Sequence, residues 1–239
     1  MPHRLRYAGL AIVGLAGAVA ATMGLNQPSP QIAPDQFAQP SELAPTTTDG
    51  ARAEAIFAGG CFWCVEADFD KIPGVVETIS GFAGGHVANP SYHDVVEGGT
   101  GHLEVVKVIY DPNLVTYGTL VEKFWRTVDP IDAGGQFCDR GESYSTAIFY
   151  SSDEERALAE ASRSALDASG VLPAKVATKV LEFSAFWPAE TYHQDYYMKN
   201  PVRYRFYRAG CGRDQRLAFL WGAPERAVAS AEEATTVRP

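Results

Sequence analysis

The stretch Ala53-Glu54-Ala55-Ile56-Phe57-Ala58-Gly59-Gly60-Cys61-Phe62-Trp63-Cys64-Val65-Glu66-Ala67-Asp68-Phe69-Asp70-Lys71-Ile72-Pro73-Gly74 changes its pattern halfway along. Ala53, Ala55 and Phe57 alternate as one face of a short strand, and Gly59-Gly60 supply a turn. Residues 61–71 then carry a helical pattern that Pro73-Gly74 must stop, because proline cannot continue a helix and glycine favours its end. A cysteine therefore opens a predicted helix directly behind a strand, and a second cysteine follows one turn later.

Working outward, a second strand is expected over residues 75–82 and, after a loop rich in Gly, Asn and Pro, a third over 103–110, ended by Asp111-Pro112. Thr116 can cap a helix whose apolar face carries Leu120, Val121, Phe124, Trp125 and Val128, with Asp129-Pro130 as its stop. The Gly-rich residues 133–143 lead into a fourth strand at 144–150. Ser152 with Glu155 has capping-box spacing for a helix running to Gly170, and a further strand is expected over 177–183. Strand, helix, strand, strand, helix, strand is the split βαβ order. It predicts an α+β fold: a two-layer sandwich with a ferredoxin-like core, helices on one face of a mainly antiparallel sheet. Residues 187–212, dense in tyrosine and periodic only near 189–197, are expected to wrap over the sheet as a C-terminal arm.

This predicted domain, residues 51–222, is flanked by segments of different character. Arg4 and Arg6 precede an uncharged run over residues 7–25 that contains Ala18-Val19-Ala20, a small-residue cleavage pattern. Residues 1–25 thus read as an export signal or an uncleaved N-terminal membrane anchor, which places the protein in the periplasm, soluble or held at the inner membrane. Residues 26–50 turn to Pro, Gln, Ala, Ser and Thr and read as a flexible linker, and 223–239 as a disordered tail. With 239 residues, 46% of them hydrophobic, the chain can bury a substantial core. Its net charge of −9 argues against a nucleic-acid partner, since phosphate binding needs clustered cations. Four cysteines are too few for a disulfide scaffold, so their places carry the meaning.

Cys61 stands where free backbone N–H groups and the helix dipole favour a thiolate, and a low thiol pKa is the expectation. Cys64 completes a Cys-x-x-Cys spacing that permits a disulfide. The same spacing also fits a general thiol–disulfide oxidoreductase, an inert pair in a membrane-tethered binding module, or half of a zinc site. Zinc is disfavoured because neither Cys138 nor Cys211 has a second close partner in sequence. In the strand at 103–110, Glu104 shares a face with Val106, Val108 and Tyr110. A buried carboxyl there would keep its proton and could donate it, while a solvated strand-end glutamate remains the plain alternative. Tyr92 and Tyr144 could supply phenol hydrogen bonds or only packing, and Asp139 could equally be a turn residue. None of the five histidines has metal-pair spacing, and they read as structural or surface groups.

Gly60-Cys61-Phe62-Trp63, Asn89-Pro90-Ser91-Tyr92 and Gly101-His102-Leu103-Glu104 form an ordered series with Asp129-Pro130 and Gly135-Gln136-Phe137-Cys138-Asp139-Arg140-Gly141. Ser143-Tyr144 and Ala189-Glu190-Thr191-Tyr192-His193-Gln194 complete it. Over essentially all of residues 55–222 this series resembles the A-type peptide-methionine (S)-S-oxide reductases. The resemblance implies that Cys61 attacks the sulfoxide sulfur, Glu104 protonates the departing oxygen, Tyr92 and Tyr144 hydrogen-bond that oxygen, and Phe62 and Trp63 hold the substrate methyl group. Asp139 would shape the rim. It implies a monomer that needs no metal or organic cofactor, acts on oxidised proteins and free methionine sulfoxide, and is regenerated by a thioredoxin-like dithiol. Some members resolve the sulfenic acid with a cysteine at the position of Cys64, others from a Gly-rich C-terminal tail that this chain lacks. Cys64 is the first expectation for the resolving thiol, Cys211 the second as direct resolver or relay, and Cys138 is expected near the site.

Overall fold

A computed structural model describes residues 52–222. The signal or anchor at 1–25, the linker at 26–50 and the tail at 223–239 lie outside the described residues. Among the described residues no helix is long and apolar enough to cross a membrane.

In chain order the elements are β1 (Ala53–Gly59), α1 (Phe62–Phe69), β2 (Val75–Ala83), α2 (Tyr92–Glu97), β3 (Leu103–Tyr110) and α3 (Tyr117–Trp125). They continue with β4 (Gly135–Gln136), β5 (Asp139–Arg140), a 3-10 turn (Glu142–Tyr144), β6 (Thr146–Tyr150), α4 (Asp153–Ser169), β7 (Lys179–Glu182) and β8 (Phe186–Pro188). Three helices close the chain: α5 (Tyr196–Lys199), α6 (Pro201–Gly210) and α7 (Arg213–Trp221). Six strands form one mixed sheet in the order β7-β6-β1-β3-β2-β8, and β4 and β5 form a separate hairpin. All neighbours in the large sheet are antiparallel except β6 and β7. The α+β class expected from the sequence is therefore present.

Capping decides where the helices begin. The Thr116 side chain accepts from Thr119 N–H at the start of α3, and the Ser152 side chain accepts from Glu155 N–H at the start of α4. At α4 the returning Glu155 carboxylate takes the N–H of Ser151 rather than that of Ser152, so the box closes one residue early. Gly170 in the left-handed region ends that helix at no steric cost. A second capping box, Ser91 with Asp94, starts α2 within the stretch whose Gly, Asn and Pro content predicts a loop.

The alternation along β1 sorts side chains to two faces. Ala55 and Phe57 join Val65, Phe69, Val106, Leu120, Phe124, Ile148, Ala159 and Leu166 between sheet and helices. Ile56 and Ala58 join Ala83, Leu103, Val105, Ala147 and Phe149 on the opposite face. Phe57 is the hinge of the first cluster, with ring centroids 4.9 Å from Phe69 and 5.3 Å from Phe124. Its full burial contributes about 1.5–3 kcal/mol.

The C-terminal region differs from the expected irregular arm. Residues 201–221 form two helices, α6 opened by Pro201 at its first turn and α7 preceded by Gly212 in the left-handed region. α7 inserts Arg213, 1% exposed, whose Nη2 donates to the carbonyls of Gly59 and Thr127. The arm is thus locked to the strand–helix turn that carries Cys61.

Candidate active site

The turn between β1 and α1 is built by close approach. Gly60 has φ +77°, and a Cβ there would stand 2.5 Å from Gln136 Cβ, so only glycine fits. Gln136 itself is fully buried, its amide accepting from Asp129 N–H and donating to the carbonyls of Asp129 and Gly135. The Gly-rich loop is thereby fastened beneath Cys61, which occupies the N-cap of α1 with 5% exposure.

Glu104 lies on β3 with its side chain toward the helices, as strand alternation predicts, and is 1% exposed. Its Oε2 accepts the Phe62 N–H at 3.0 Å, placing the carboxyl against the residue next to Cys61. Burial first of all pushes its pKa up to about 8, and the nearby Asp139 and Cys64 charges add to the rise. The Phe62 N–H bond opposes it. Below that pH the carboxyl carries a proton, which is the state a general acid requires.

The low pKa expected for Cys61 is corrected by the structure. Burial pushes the Cys61 thiol well above its ordinary value, and its hydrogen bond to Cys64 holds the proton further. The physical reason is burial, which strips the sulfur of water, with the adjacent Glu104 charge opposing a second negative charge beside it. Cys64, 2% exposed, shifts the other way, to about 7, first through the hydrogen bond from Cys61 and then through the fields of Arg213 and Arg208. The two sulfurs face each other and both are free thiols.

The remaining expected residues converge on the same place. The phenols of Tyr92 and Tyr144 lie beside one another and beside Glu104, close enough for each to act on the others' protons. Both phenols are pushed up by burial, with the Glu104 charge adding to it, and they stay protonated donors. The Tyr92 N–H donates to Glu190 Oε1 at 3.0 Å, anchoring the start of α2. Phe62 packs against Phe82, Tyr92 and His193 with centroids 5.9, 6.2 and 5.0 Å away. Trp63 stacks on Tyr196 at 3.7 Å. Asp139 is half-buried and accepts from the Tyr207 hydroxyl.

Two site residues were not singled out from the sequence. His193, 2% exposed, accepts the Trp63 indole N–H on Nδ1 at 3.1 Å and packs on Tyr92, a structural role that fixes the pocket wall. Tyr207 comes from α6, whose polar sequence hid its place. Cys138 and Cys211 form a disulfide across 73 residues. Cys211 is therefore not the free arm thiol envisaged from the sequence, while Cys138, the neighbour of Asp139, does lie beside the site. These two cysteines with Asp139 form a compact cluster, but their sulfurs are committed to each other rather than to a metal.

The family profile described as "Peptide methionine sulfoxide reductase" matches residues 53–224. The chain is 50% identical over 171 residues to "Peptide methionine sulfoxide reductase MsrA" of Bacillus licheniformis, covering 72% of this chain and 94% of that one. With "Peptide methionine sulfoxide reductase MsrA 2" of Rhizobium meliloti it shares 53% over 168 residues, 70% of this chain and 83% of the relative. "Peptide methionine sulfoxide reductase MsrA/MsrB" of Vibrio cholerae is 48% identical over 186 residues, 77% of this chain but only 49% of that longer protein. Among solved structures, methionine sulfoxide reductase A of Corynebacterium diphtheriae matches with TM-score 0.58 and 33% identity, covering 69% of this chain and 82% of that one. Mxr1 from Saccharomyces cerevisiae in reduced form matches with TM-score 0.59 and 30% identity, covering 65% and 89%. With its profile match, its relatives at about half identity and these folds, the chain belongs to the peptide methionine sulfoxide reductase family.

Proposed function

We propose that this protein reduces the S epimer of methionine sulfoxide, in oxidised proteins and as the free amino acid, through a sulfenic acid on Cys61. The observation that carries the reading is the Phe62 N–H bond to Glu104, which sets a protonated carboxyl beside the free thiol of Cys61 at the floor of an aromatic pocket.

In the first step the Cys61 thiolate attacks the sulfoxide sulfur while Glu104 gives its proton to the sulfoxide oxygen. That attack forms an S–S bond; the protonated oxygen then passes to Cys61 Sγ as its bond to the substrate sulfur and the S–S bond both break, so methionine leaves and Cys61 is left as a sulfenic acid. Tyr92 and Tyr144 donate to the oxygen as charge develops, where preorganised donors are worth most. Phe62 and Trp63, held by His193, accept the methyl group, and Asp139 shapes the rim. In the second step the Cys64 thiolate attacks the sulfenic sulfur and displaces its hydroxyl, which takes a proton from solvent and leaves as water, giving a Cys61–Cys64 disulfide. Support for Cys64 over Cys211 as resolver is that Cys64 already faces Cys61 as a free thiol, whereas Cys211 is bound to Cys138. A thioredoxin-type dithiol then exchanges with that disulfide and restores both thiols.

The finer fold reading rests on the order β6-β1-β3-β2 of the central strands, which with α1 and α3 as crossovers is the order a split βαβ core requires. The charge and apolar pattern of residues 1–25 supports export, with work in the periplasm as a monomer, free or tethered at the inner membrane. Incubating the full chain with dithiothreitol and each sulfoxide epimer tests the activity. Methionine is expected from the S epimer. A chain that reduces disulfides but releases no methionine would instead be a general thiol–disulfide oxidoreductase, and a chain inert to both would make the cysteine pair structural.

A further inference from the structure

Tyr207 enters the site from α6 and meets three of its groups. Its hydroxyl donates to Asp139 Oδ2, its ring packs against the cluster that buries Cys64, and its phenol acts on the Cys61 sulfur. Its ring stands edge-on to Trp63, with centroids 5.6 Å apart and planes at 78°. Two anchors hold it there. The Cys138–Cys211 disulfide ties the residue before Asp139 to the residue four beyond Tyr207, one helical turn away. The adjacent Arg208 Nη1 donates to both Asp68 carboxylate oxygens on α1, at 2.9 and 3.0 Å. The catalytic steps above use none of these contacts.

We infer that Tyr207 is a positioning residue for the sulfenic-acid-forming step, clasped to the Gly-rich loop so that its phenol can turn from Asp139 to Cys61 as the thiolate forms. The inference rests on the reading of Cys61 as the nucleophile. A phenol has one proton and, in this arrangement, two acceptors. While Cys61 is a thiol, the proton is best used by Asp139. Once Cys61 is a thiolate, rotation about the C–O bond turns the donor from Asp139 toward sulfur. A charge-assisted bond of this kind favours the ionised form. Cys61 thus has opposed neighbours: Cys64 and the Glu104 charge, which keep its proton in place, and Tyr207, which stabilises its loss. Burial beside Asp139 and Cys61 keeps the phenol itself protonated far beyond neutral pH.

The test uses the full chain with Tyr207→Phe, which retains the ring and its packing and removes only the hydroxyl. Alkylation of Cys61 by iodoacetamide is followed against pH, with peptide mapping to separate it from Cys64. The expected result is a midpoint about one pH unit higher. At neutral pH both alkylation and single-turnover methionine release fall about tenfold, the change one unit implies. Both recover at alkaline pH, and the substrate concentration for half-maximal release is unchanged. Incorporating 3-fluorotyrosine at position 207, a more acidic phenol of nearly the same shape, should move the midpoint down. An unmoved midpoint, or a loss of rate equal at every pH, would overturn the inference and leave Tyr207 a packing residue. Alkylation needs no sulfoxide, so a chain without reductase activity would sink the proposed function while the midpoint still reported on Tyr207.

Discussion

Replacing Glu104 by glutamine removes a proton donor while keeping an oxygen for the Phe62 N–H, so it separates the acid's chemistry from its structural bond. With a pKa of about 8, the wild-type carboxyl is roughly nine-tenths protonated at pH 7 and roughly one-tenth at pH 9. Glu104→Gln should slow single-turnover methionine release at pH 7 by roughly a hundredfold or more, the usual worth of a general acid. Stability should move the other way. A carboxyl whose folded pKa lies above its unfolded value of about 4.5 contributes full stability below that value and loses it as pH rises through about 8. The gap corresponds to roughly 5 kcal/mol at alkaline pH. In a domain of this size that is roughly ten degrees in melting temperature. Thermal unfolding of wild type and variant should therefore nearly coincide near pH 4 and diverge toward pH 9, with the glutamine variant the more stable. A wild-type release rate in the variant would refute Glu104 as the acid. Parallel melting curves across the pH range would refute the buried, protonated carboxyl from which the argument starts.

The other predictions concern the cysteines. Cys61→Ser is expected to abolish methionine release even with excess dithiothreitol, and substantial turnover would falsify its assignment as nucleophile. Cys64→Ser should still release about one equivalent of methionine per enzyme but fail to cycle with thioredoxin, with partial rescue by dithiothreitol; peptide mapping that finds a Cys61–Cys211 bridge in the turned-over wild type would reverse the order of resolvers. Cys138→Ser removes a cross-link spanning 73 residues and should cost about 2–4 kcal/mol in denaturant titrations without thiol. An unchanged midpoint of unfolding would mean that Cys138 and Cys211 are not linked in solution.

Much of the site was legible because it depends on local rules. Strand alternation put Glu104 on the face of Val106 and Val108 without deciding between burial and solvent, and the caps at Thr116 and Ser152 located the starts of α3 and α4. The ordered motif series placed Tyr92, Tyr144 and Asp139 about Cys61 before any coordinates. What could not be read depends on pairs far apart in the chain. The pairing of Cys138 with Cys211 is one choice among several that spacing cannot rank. The three-residue strand β8 exists only because the edge of β2 is there to pair with it. In α6, three arginines and scattered tyrosines blur the apolar stripe that marks a helix, though Pro201 at its first turn and Gly212 beyond its end were usable signals.

The failure at the Cys61 pKa is the more instructive case, because the local rule behind it was sound. A cysteine at a helix N-terminus does meet free N–H groups, and that favours a thiolate when the groups point at sulfur. Here the Phe62 N–H points at Glu104, which must sit there to act as acid, and the same closure buries Cys61 to 5% exposure. The thiolate must then be stabilised from elsewhere. Among the side chains that bear on the sulfur, Cys64 and Glu104 oppose ionisation and Tyr207 favours it, brought in by a helix more than 140 residues along the chain. A buried active-site thiol can therefore be activated by the far end of the sequence even when a helix start lies directly beneath it.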